Sequence, residues 1–159
     1  KGGISKIKNS GIAYTIFYPS NFMENFASEE MRRGNKVNYI KSKVNNKAWW
    51  IAGEDFGKQV ANAFKTDKAL NCEFPVQGPE ALTMKEAATK YAAAYKKEQL
   101  GVGSMPYGLL KFLGMFIPQM KFLSNLMNVM LNNEETFESQ KTWDILGKSE
   151  ISIDKFAGK

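Results

Sequence analysis

Few residue types in this sequence can carry out chemistry, because its 159 residues include no histidine and one cysteine. Histidine is the commonest general base and metal ligand, so Ser-His-Asp, Cys-His and His-zinc chemistries are excluded within the chain. Cys72 lies in a predicted strand with no obvious cation partner, which favours a small core residue over a nucleophile. The types of residue present therefore point to ligand binding rather than nucleophilic catalysis.

The carboxylates do not form an obvious acid–base pair either. Such a pair needs a common pocket, and Glu29-Glu30 and Glu134-Glu135 have the pattern of solvated faces. Asp55 directly precedes a helical run, which predicts that its carboxylate is the helix N-cap.

The best candidate site follows the apolar run Ile12 to Tyr18 within SGIAYTIFYPSNFMENF. High β-propensity that ends at Pro19 predicts a buried strand, and apolar residues at helical spacing up to Phe26 predict a helix after a short loop. In open α/β sheets, ligands bind outside the carboxyl ends of such strands. Pro19-Ser20-Asn21-Phe22 is therefore the first place to expect a small molecule.

The same stretch resembles the late strand and loop of the NmrA-like family of atypical short-chain dehydrogenases/reductases. Two further segments match in the same order: WIAGEDFGKQVANAF, from Trp50 to Phe64, and FPVQGPEALTMKEAATKYA, from Phe74 to Ala92. Tyr18 stands where the family usually has arginine. The resemblance implies an NAD(P)-binding protein of the α/β class.

The resemblance also implies that part of the fold is encoded elsewhere. No Gly-rich turn of the kind that holds a cofactor pyrophosphate is present in the sequence. Gly101-Val-Gly103 follows a helix and is predicted to be a loop. We expect the C-terminal portion of a Rossmann-type sheet and a smaller, mainly helical substrate-side domain. Residues 1–103 would supply the late strands and helices, and residues 104–159 a helical region over the pocket.

Site residues follow from the resemblance. Tyr18 and Pro19-Ser20-Asn21-Phe22 would contact the nicotinamide cofactor, and Trp50, Met115, Phe116 and Met120 would wall the substrate pocket. The superfamily places a Tyr-x-x-x-Lys pair on the helix before this strand, and Lys1 is a weak candidate for the remnant of that lysine. Tyr39 and Lys43 have the same Tyr-x-x-x-Lys spacing, but they follow the Ile12 to Tyr18 strand and lie in another predicted strand.

The implied activity of the longer protein is reduction of a small carbonyl or quinone-like substrate with NAD or NADP. A non-catalytic sensor of nicotinamide redox state and a protein-interaction module remain alternatives. No cofactor and no turnover are expected for the 159-residue chain alone. A homodimer or larger assembly through exposed apolar helices, by exchange of the Ser104 to Leu131 helices for example, is also predicted.

Composition adds general limits. The net charge is +6 and the pI about 9.3, but the lysines are spread along the chain, which does not predict nucleic-acid binding. No apolar run approaches the ~20 residues of a membrane span. A single cysteine is consistent with a reducing cytoplasm.

The remaining elements are predicted from local signals. A capping box, Thr83-Met-Lys-Glu86, opens a helix to Gln99. The other predicted elements are one or two strands within Lys36 to Ile51, a strand Leu70 to Val76, two helices within Ser104 to Leu131 separated at Pro118, a helix Glu134 to Trp143 ended by Gly147, and a final helix Ile151 to Phe156 capped by Ser152.

Overall fold

A computed structural model describes residues 2–29 and 31–159, so the predicted role of Lys1 lies outside the described residues. That part of the chain alternates helices and strands and belongs to the α/β class, as predicted. The helices are α1 (Gly2–Lys8), α2 (Gly53–Ala63), α3 (Met84–Ala94), α4 (Tyr107–Leu113), α5 (Pro118–Asn132), α6 (Gln140–Leu146) and α7 (Ile153–Ala157). The strands are β1 (Thr15–Pro19), β2 (Arg32–Arg33), β3 (Lys36–Lys41), β4 (Ala48–Trp49), β5 (Cys72–Val76), β6 (Ala81–Leu82) and β7 (Gly101–Pro106).

The strand predicted from Ile12 to Tyr18 is present as β1, which pairs in parallel with β5 in the register Thr15–Cys72 to Pro19–Val76. It begins later than predicted. Gly11 has a φ of 76°, and the backbone N–H of Ile12 donates to the Ser10 hydroxyl, so the turn extends past Ile12 and leaves that side chain 73% exposed. A strand that leads into the Pro19 loop is therefore present as predicted, but it is not the buried strand that was expected: Thr15 to Phe17 are half-buried, and Tyr18 and Pro19 are exposed.

A second sheet has the order β2-β3-β7, and β3 and β7 are parallel. The prediction of a loop at Gly101-Val-Gly103 was wrong, because these residues begin β7. A Cβ atom at Gly103 would lie 2.1 Å from the Asn38 side-chain oxygen, so glycine lets the two strands approach. The strand crosses the predicted boundary between residues 103 and 104, and the division into two domains stays a prediction.

The main core forms where α3 packs against both α7 and β3, together with the turn after β1. Phe26 stacks on Tyr91 with ring centroids 5.2 Å apart and lies 4.7 Å from Trp50. Phe26 and Met23 belong to a short 3₁₀ helix, Met23–Ala27, where the sequence predicts a helix. These buried rings hold the turn after β1 on the rest of the fold.

The prediction for the start of α2 was wrong. Its N-cap is Ala52, and the first backbone N–H, of Gly53, donates to the Glu24 carboxylate at 2.8 Å. Asp55 lies inside the first turn, is buried, and accepts the backbone N–H groups of Glu150 and Ile151 at 2.8 Å each. The Asp55 carboxylate thus accepts backbone N–H groups as expected, but these groups belong to the C-terminal segment and not to α2 itself. The reason is that the side of α2 that carries Asp55 faces the protein interior.

The buried face of α2 is not formed by its larger apolar residues, Val60 and Phe64. The buried positions are Asp55, Gln59 and Ala63, and Phe64 is 89% exposed. Polar side chains take the inward positions because backbone groups of the 147–151 segment meet them, as with the Gln59 amide, which donates to the Gly147 carbonyl at 2.8 Å.

The later helices follow Pro118 and Gly147 as predicted, but two starts differ. Pro118 is in the first turn of α5, and Gly147 ends α6 with a φ of 101°. Helix α4 begins at Tyr107 rather than Ser104, because β3 extends its pairing to Pro106. In the described part of the chain, no helix combines the length and apolar character needed to cross a membrane.

Candidate functional site

The loop Pro19 to Phe22 lies at the shared carboxyl end of β1 and β5, where the sequence predicts it. The Ser20 N–H donates to the Val76 carbonyl at 2.9 Å, the Asn21 carbonyl accepts the Ile51 N–H at 2.9 Å, and the Met23 N–H donates to the Ile51 carbonyl at 2.9 Å. These bonds hold the loop between β5 and the segment after β4. Its side chains are therefore presented on a rigid support at the strand ends, where α/β proteins bind ligands.

Glu135 is the polar centre of this region, although the sequence interpretation treats Glu134-Glu135 as a solvated face. One carboxylate oxygen, Oε2, accepts the Ser20 hydroxyl at 2.7 Å and the backbone N–H of Trp49 at 3.0 Å. The other, Oε1, accepts the side-chain amide of Gln77 at 2.7 Å. Glu135 therefore joins the β1 loop, β4 and the end of β5.

Gln77, which is buried, fixes the segment that carries Glu135. Its Oε1 accepts the backbone N–H groups of Glu138 and Ser139, at 2.7 and 3.1 Å, while its Nε2 also donates to the Thr136 carbonyl at 2.7 Å. These bonds use backbone groups that a helix would need for itself. The predicted helix from Glu134 is consequently absent, and α6 begins only at Gln140.

Two cavities meet beside this centre, and Asn21, Asn133 and Glu135 line both. The strand-end cavity, of about 500 Å³, lies over the carboxyl ends of β1 and β5 and is lined by Tyr18, Pro19, Ser20 and Gln77 among others. The helix-side cavity, of about 420 Å³, lies between the β3–β4 loop, the start of α3 and α5. Together they form one cleft with the predicted loop at its middle.

The methionines that line the cleft are Met84, Met127 and Met130. The predicted wall residues lie elsewhere: Met115 and Phe116, near the turn between α4 and α5, are 74% and 71% exposed, and Met120 is half-buried in the first turn of α5. None of the three lines either cavity. The methionines of α5 that line the helix-side cavity, Met127 and Met130, belong to the second half of that helix.

Trp50 is in the core, and its neighbour Trp49 lies closer to the cleft. The Trp50 indole N–H donates to the carbonyl of Leu82, which lines the helix-side cavity, at 3.2 Å. Trp49 packs against Phe137 with ring centroids 4.9 Å apart, and its backbone N–H binds Glu135. The structure thus places Trp50 behind the wall of the cavity.

Tyr18 and Phe22 face different neighbours at the two ends of the loop. The Tyr18 hydroxyl donates to the Glu73 carboxylate at 2.5 Å, and Lys8 forms an ion pair with the same carboxylate. The hydrogen bond to Glu73 raises the pKa of Tyr18, and the bonds from Lys8 and Tyr18 lower the pKa of Glu73. Phe22 packs on Phe56 with ring centroids 5.7 Å apart.

Other candidate chemistries have no support in the geometry. Tyr39 is on β3 and Lys43 in the loop that follows, so the two do not share a helix face. Within residues 2–29 and 31–159, no group of acidic, cysteine or histidine side chains could hold a metal ion. Cys72 has a cation partner that the sequence did not predict, since the Lys141 ammonium donates to its sulfur at 3.4 Å.

Comparisons with known proteins give the fold a context. No family description and no curated protein sequence matches the chain. Among solved structures, a nucleoside-diphosphate-sugar epimerase from Staphylococcus aureus matches 99% of this chain and 56% of its own, with a TM-score of 0.75 and 14% identity. An NADPH-dependent quinone oxidoreductase from Escherichia coli matches 98% and 58%, with a TM-score of 0.72 and 13% identity. An isoflavone reductase matches 99% and 56%, with a TM-score of 0.68 and 16% identity.

These structures are an epimerase and two reductases, and this chain shares part of their fold, which agrees with the fold that the sequence resemblance implies. At such low identities the comparison shows the fold alone: the chain has part of a Rossmann-type α/β fold. It spans a little over half of the length of the structures it matches.

Proposed function

We propose that the chain is the C-terminal, substrate-side part of an NAD(P)H-dependent reductase that acts on a small carbonyl or quinone-like compound. The observation that carries the proposal is the cleft at the carboxyl ends of β1 and β5, with Asn21 at the junction of its two cavities. A position outside parallel strand ends is where such folds bind cofactor and substrate. The similarity to reductases of this fold supports the cofactor class.

The residues present fit one end of a nicotinamide cofactor. Asn21 lines both cavities, and its side-chain amide makes no hydrogen bond within the described residues. The backbone around it is fixed by bonds to Val76 and Ile51. In this proposal Pro19-Ser20-Asn21-Phe22 lies against the nicotinamide, which supplies a hydride when bound. The pyrophosphate would be held by residues outside this sequence, which has no Gly-rich turn.

The chain's own residues would then bind and orient the substrate. The Asn21 amide can donate to a carbonyl oxygen in either cavity, and Glu135 keeps the loop in place through Ser20 and Trp49. Trp50 supports the wall from behind through Leu82. Met115, Phe116 and Met120 stay predicted pocket residues of the longer protein. A cytoplasmic location likewise stays a prediction.

The test uses the longer protein encoded around this sequence. NADPH binding followed by its fluorescence, and steady-state reduction of a quinone, are measured for Asn21→Ala and Phe22→Ala. Matched controls are Asn125→Ala and Phe64→Ala, which remove the same side chains from exposed positions on α5 and at the end of α2. We expect weaker cofactor or substrate binding only for the first pair. Unchanged affinity for both would overturn the proposed site.

A second candidate is an interaction module, which the apolar surface of α4 and α5 favours. Phe112, Met115, Phe116 and Phe122 are each more than half exposed, and exposed apolar patches of this kind promote association. In this view the protein senses nicotinamide state without turnover and passes it on by binding a second copy. Turnover by the longer protein separates the two candidates.

A further inference from the structure

The helix-side cavity has an unusual distribution of charge. Three lysines from three different elements line it: Lys41 at the end of β3, Lys47 in the β3–β4 loop and Lys85 in the first turn of α3. None of the three forms an ion pair with a carboxylate in the part of the chain that is described. The lining of the cavity therefore carries three positive charges without a direct ion pair in the described residues, and Lys47 interacts with Glu86 only at longer range.

The one carboxylate that lines the cavity is already engaged. Both oxygens of Glu135 accept hydrogen bonds, from Ser20, Trp49 and Gln77. Glu86 lies outside the lining, and its carboxylate accepts the backbone N–H and hydroxyl of Thr83 at 2.9 and 3.0 Å. Glu135 is therefore fully engaged, whereas Glu86 interacts with Lys47 through charge from outside the lining.

The position of α3 adds to the same effect. Thr83, its N-cap, lines the cavity together with Met84 and Lys85 in the first turn. The N-terminus of an α-helix carries partial positive charge, which favours an anion nearby. The three lysines and the N-terminus of α3 therefore both favour an anion in the helix-side cavity.

The opposite wall is apolar. Met127, Met130 and Leu131 of α5 line it, and methionine adapts its shape to different apolar groups. The Asn46 amide donates to the carbonyls of Met130 and Leu131, at 3.2 and 3.1 Å, so the lysine-bearing loop is tied to this wall. A ligand that matches both sides needs an anionic group and an apolar body.

We infer that the helix-side cavity binds the anionic end of an amphipathic small molecule, a carboxylate or a phosphate attached to an apolar or aromatic group. Lys41, Lys47 and Lys85 contact the anion and α5 covers the apolar part. The role of this molecule as the substrate rests on the proposed function, but its binding does not. The shared Asn21 and Glu135 would place the rest of the molecule toward the strand-end cavity.

The test is a titration of the 159-residue chain by NMR with 4-phenylbutanoate, with its neutral amide, and with phenyl phosphate. We expect the carboxylate to bind with a Kd about tenfold below that of the amide, because charge-assisted bonds are the stronger ones. The amide-proton shifts should fall on Ser42, Asn46 and Leu131. Comparison of 4-phenylbutanoate with phenyl phosphate shows which anion the cavity prefers.

The triple variant K41Q/K47Q/K85Q should bind the carboxylate no better than the amide. A charge-matched control, K65Q/K68Q/K97Q, removes three exposed lysines that likewise form no ion pair with any described carboxylate, and it should retain the preference. Unperturbed circular dichroism verifies that each variant is folded. Equal affinity for acid and amide in the parent chain, or equal loss in both triple variants, would overturn the inference. Cofactor binding by the longer protein is measured separately, so either proposal can fail alone.

Discussion

Substitution of Glu135 by glutamine tests the polar centre of the cleft with the smallest change of shape. The new side chain has one carbonyl oxygen and one NH₂ group in place of two acceptors. The oxygen can keep the Ser20 hydroxyl and the Trp49 N–H, which share Oε2. The NH₂ group then faces the Gln77 Nε2, which is itself a donor.

Gln77 cannot correct this mismatch by rotating its amide. Its Oε1 already accepts two backbone N–H groups, from Glu138 and Ser139, and a rotated amide would place a donor against both. The variant therefore leaves one donor unpaired and changes two charge-assisted hydrogen bonds into neutral ones.

The expected cost follows from these bonds. An unsatisfied buried group costs about 1–3 kcal/mol, and the loss of charge assistance costs less than that at each remaining bond. Because Glu135 is half-buried, we take the middle of the range, about 2 kcal/mol, which lowers Tm by about 4–8 °C for a chain of this size. Urea unfolding followed by tryptophan fluorescence measures the change in free energy.

Glu134→Gln is the matched control, because Glu134 is the exposed neighbour of Glu135 and loses the same charge. We expect its free energy of unfolding to stay within about 0.5 kcal/mol of the parent value. Equal stability of the two variants would refute the assigned hydrogen-bond network.

Three other predictions concern the support of the site and its surface. Asp55→Ala should lower the free energy of unfolding by about 3 kcal/mol, because it leaves two backbone amides unpaired, and urea unfolding measures this. The hydrogen bonds from the Thr83 backbone and side chain lower the pKa of Glu86 in the folded protein. The ionised carboxylate therefore contributes its full stabilisation above its unfolded pKa of about 4.5 and loses it as the pH falls through the folded pKa. The difference in stability between the parent and Glu86→Gln should accordingly shrink between neutral pH and acid. The double variant of Phe112 and Phe116 to serine should convert a homodimer into a monomer by light scattering.

Each of these has a control. Asp55→Asn retains one acceptor oxygen and should lose less stability than the alanine variant. Glu29→Gln removes an exposed carboxylate and should show no pH-dependent difference. Phe64→Ser removes a ring that is 89% exposed at the end of α2, and it should leave the molar mass of the assembly in light scattering unchanged. A monomeric parent chain at high concentration would refute the predicted assembly.

Elements with strong local signals could be predicted from the sequence. The capping box of Thr83 and Glu86 is present as expected, with both reciprocal bonds formed. Ser152 caps the last helix, and β1 and β5 carry the β-rich runs around Phe17 and Phe74. In each case neighbouring residues determine the local structure, so a single sequence suffices.

The parts that could not be predicted depend on contacts between distant segments. Gln77 and Glu135 are 58 residues apart, and nothing in the sequence near Glu135 marks it as an acceptor for three donors. Gly101 to Gly103 form a strand only because β3 provides the pairing partner. The same holds for Asp55, whose partners lie 95 and 96 residues away.

The most direct test of the central claim is a measurement of proximity in the longer protein with NADPH bound. Nuclear Overhauser effects are recorded between the nicotinamide protons and a protein labelled at phenylalanine and asparagine side chains. The account predicts effects to the Phe22 ring and the Asn21 amide. Tight NADPH binding with no effect to either residue would show that this loop does not contact the nicotinamide.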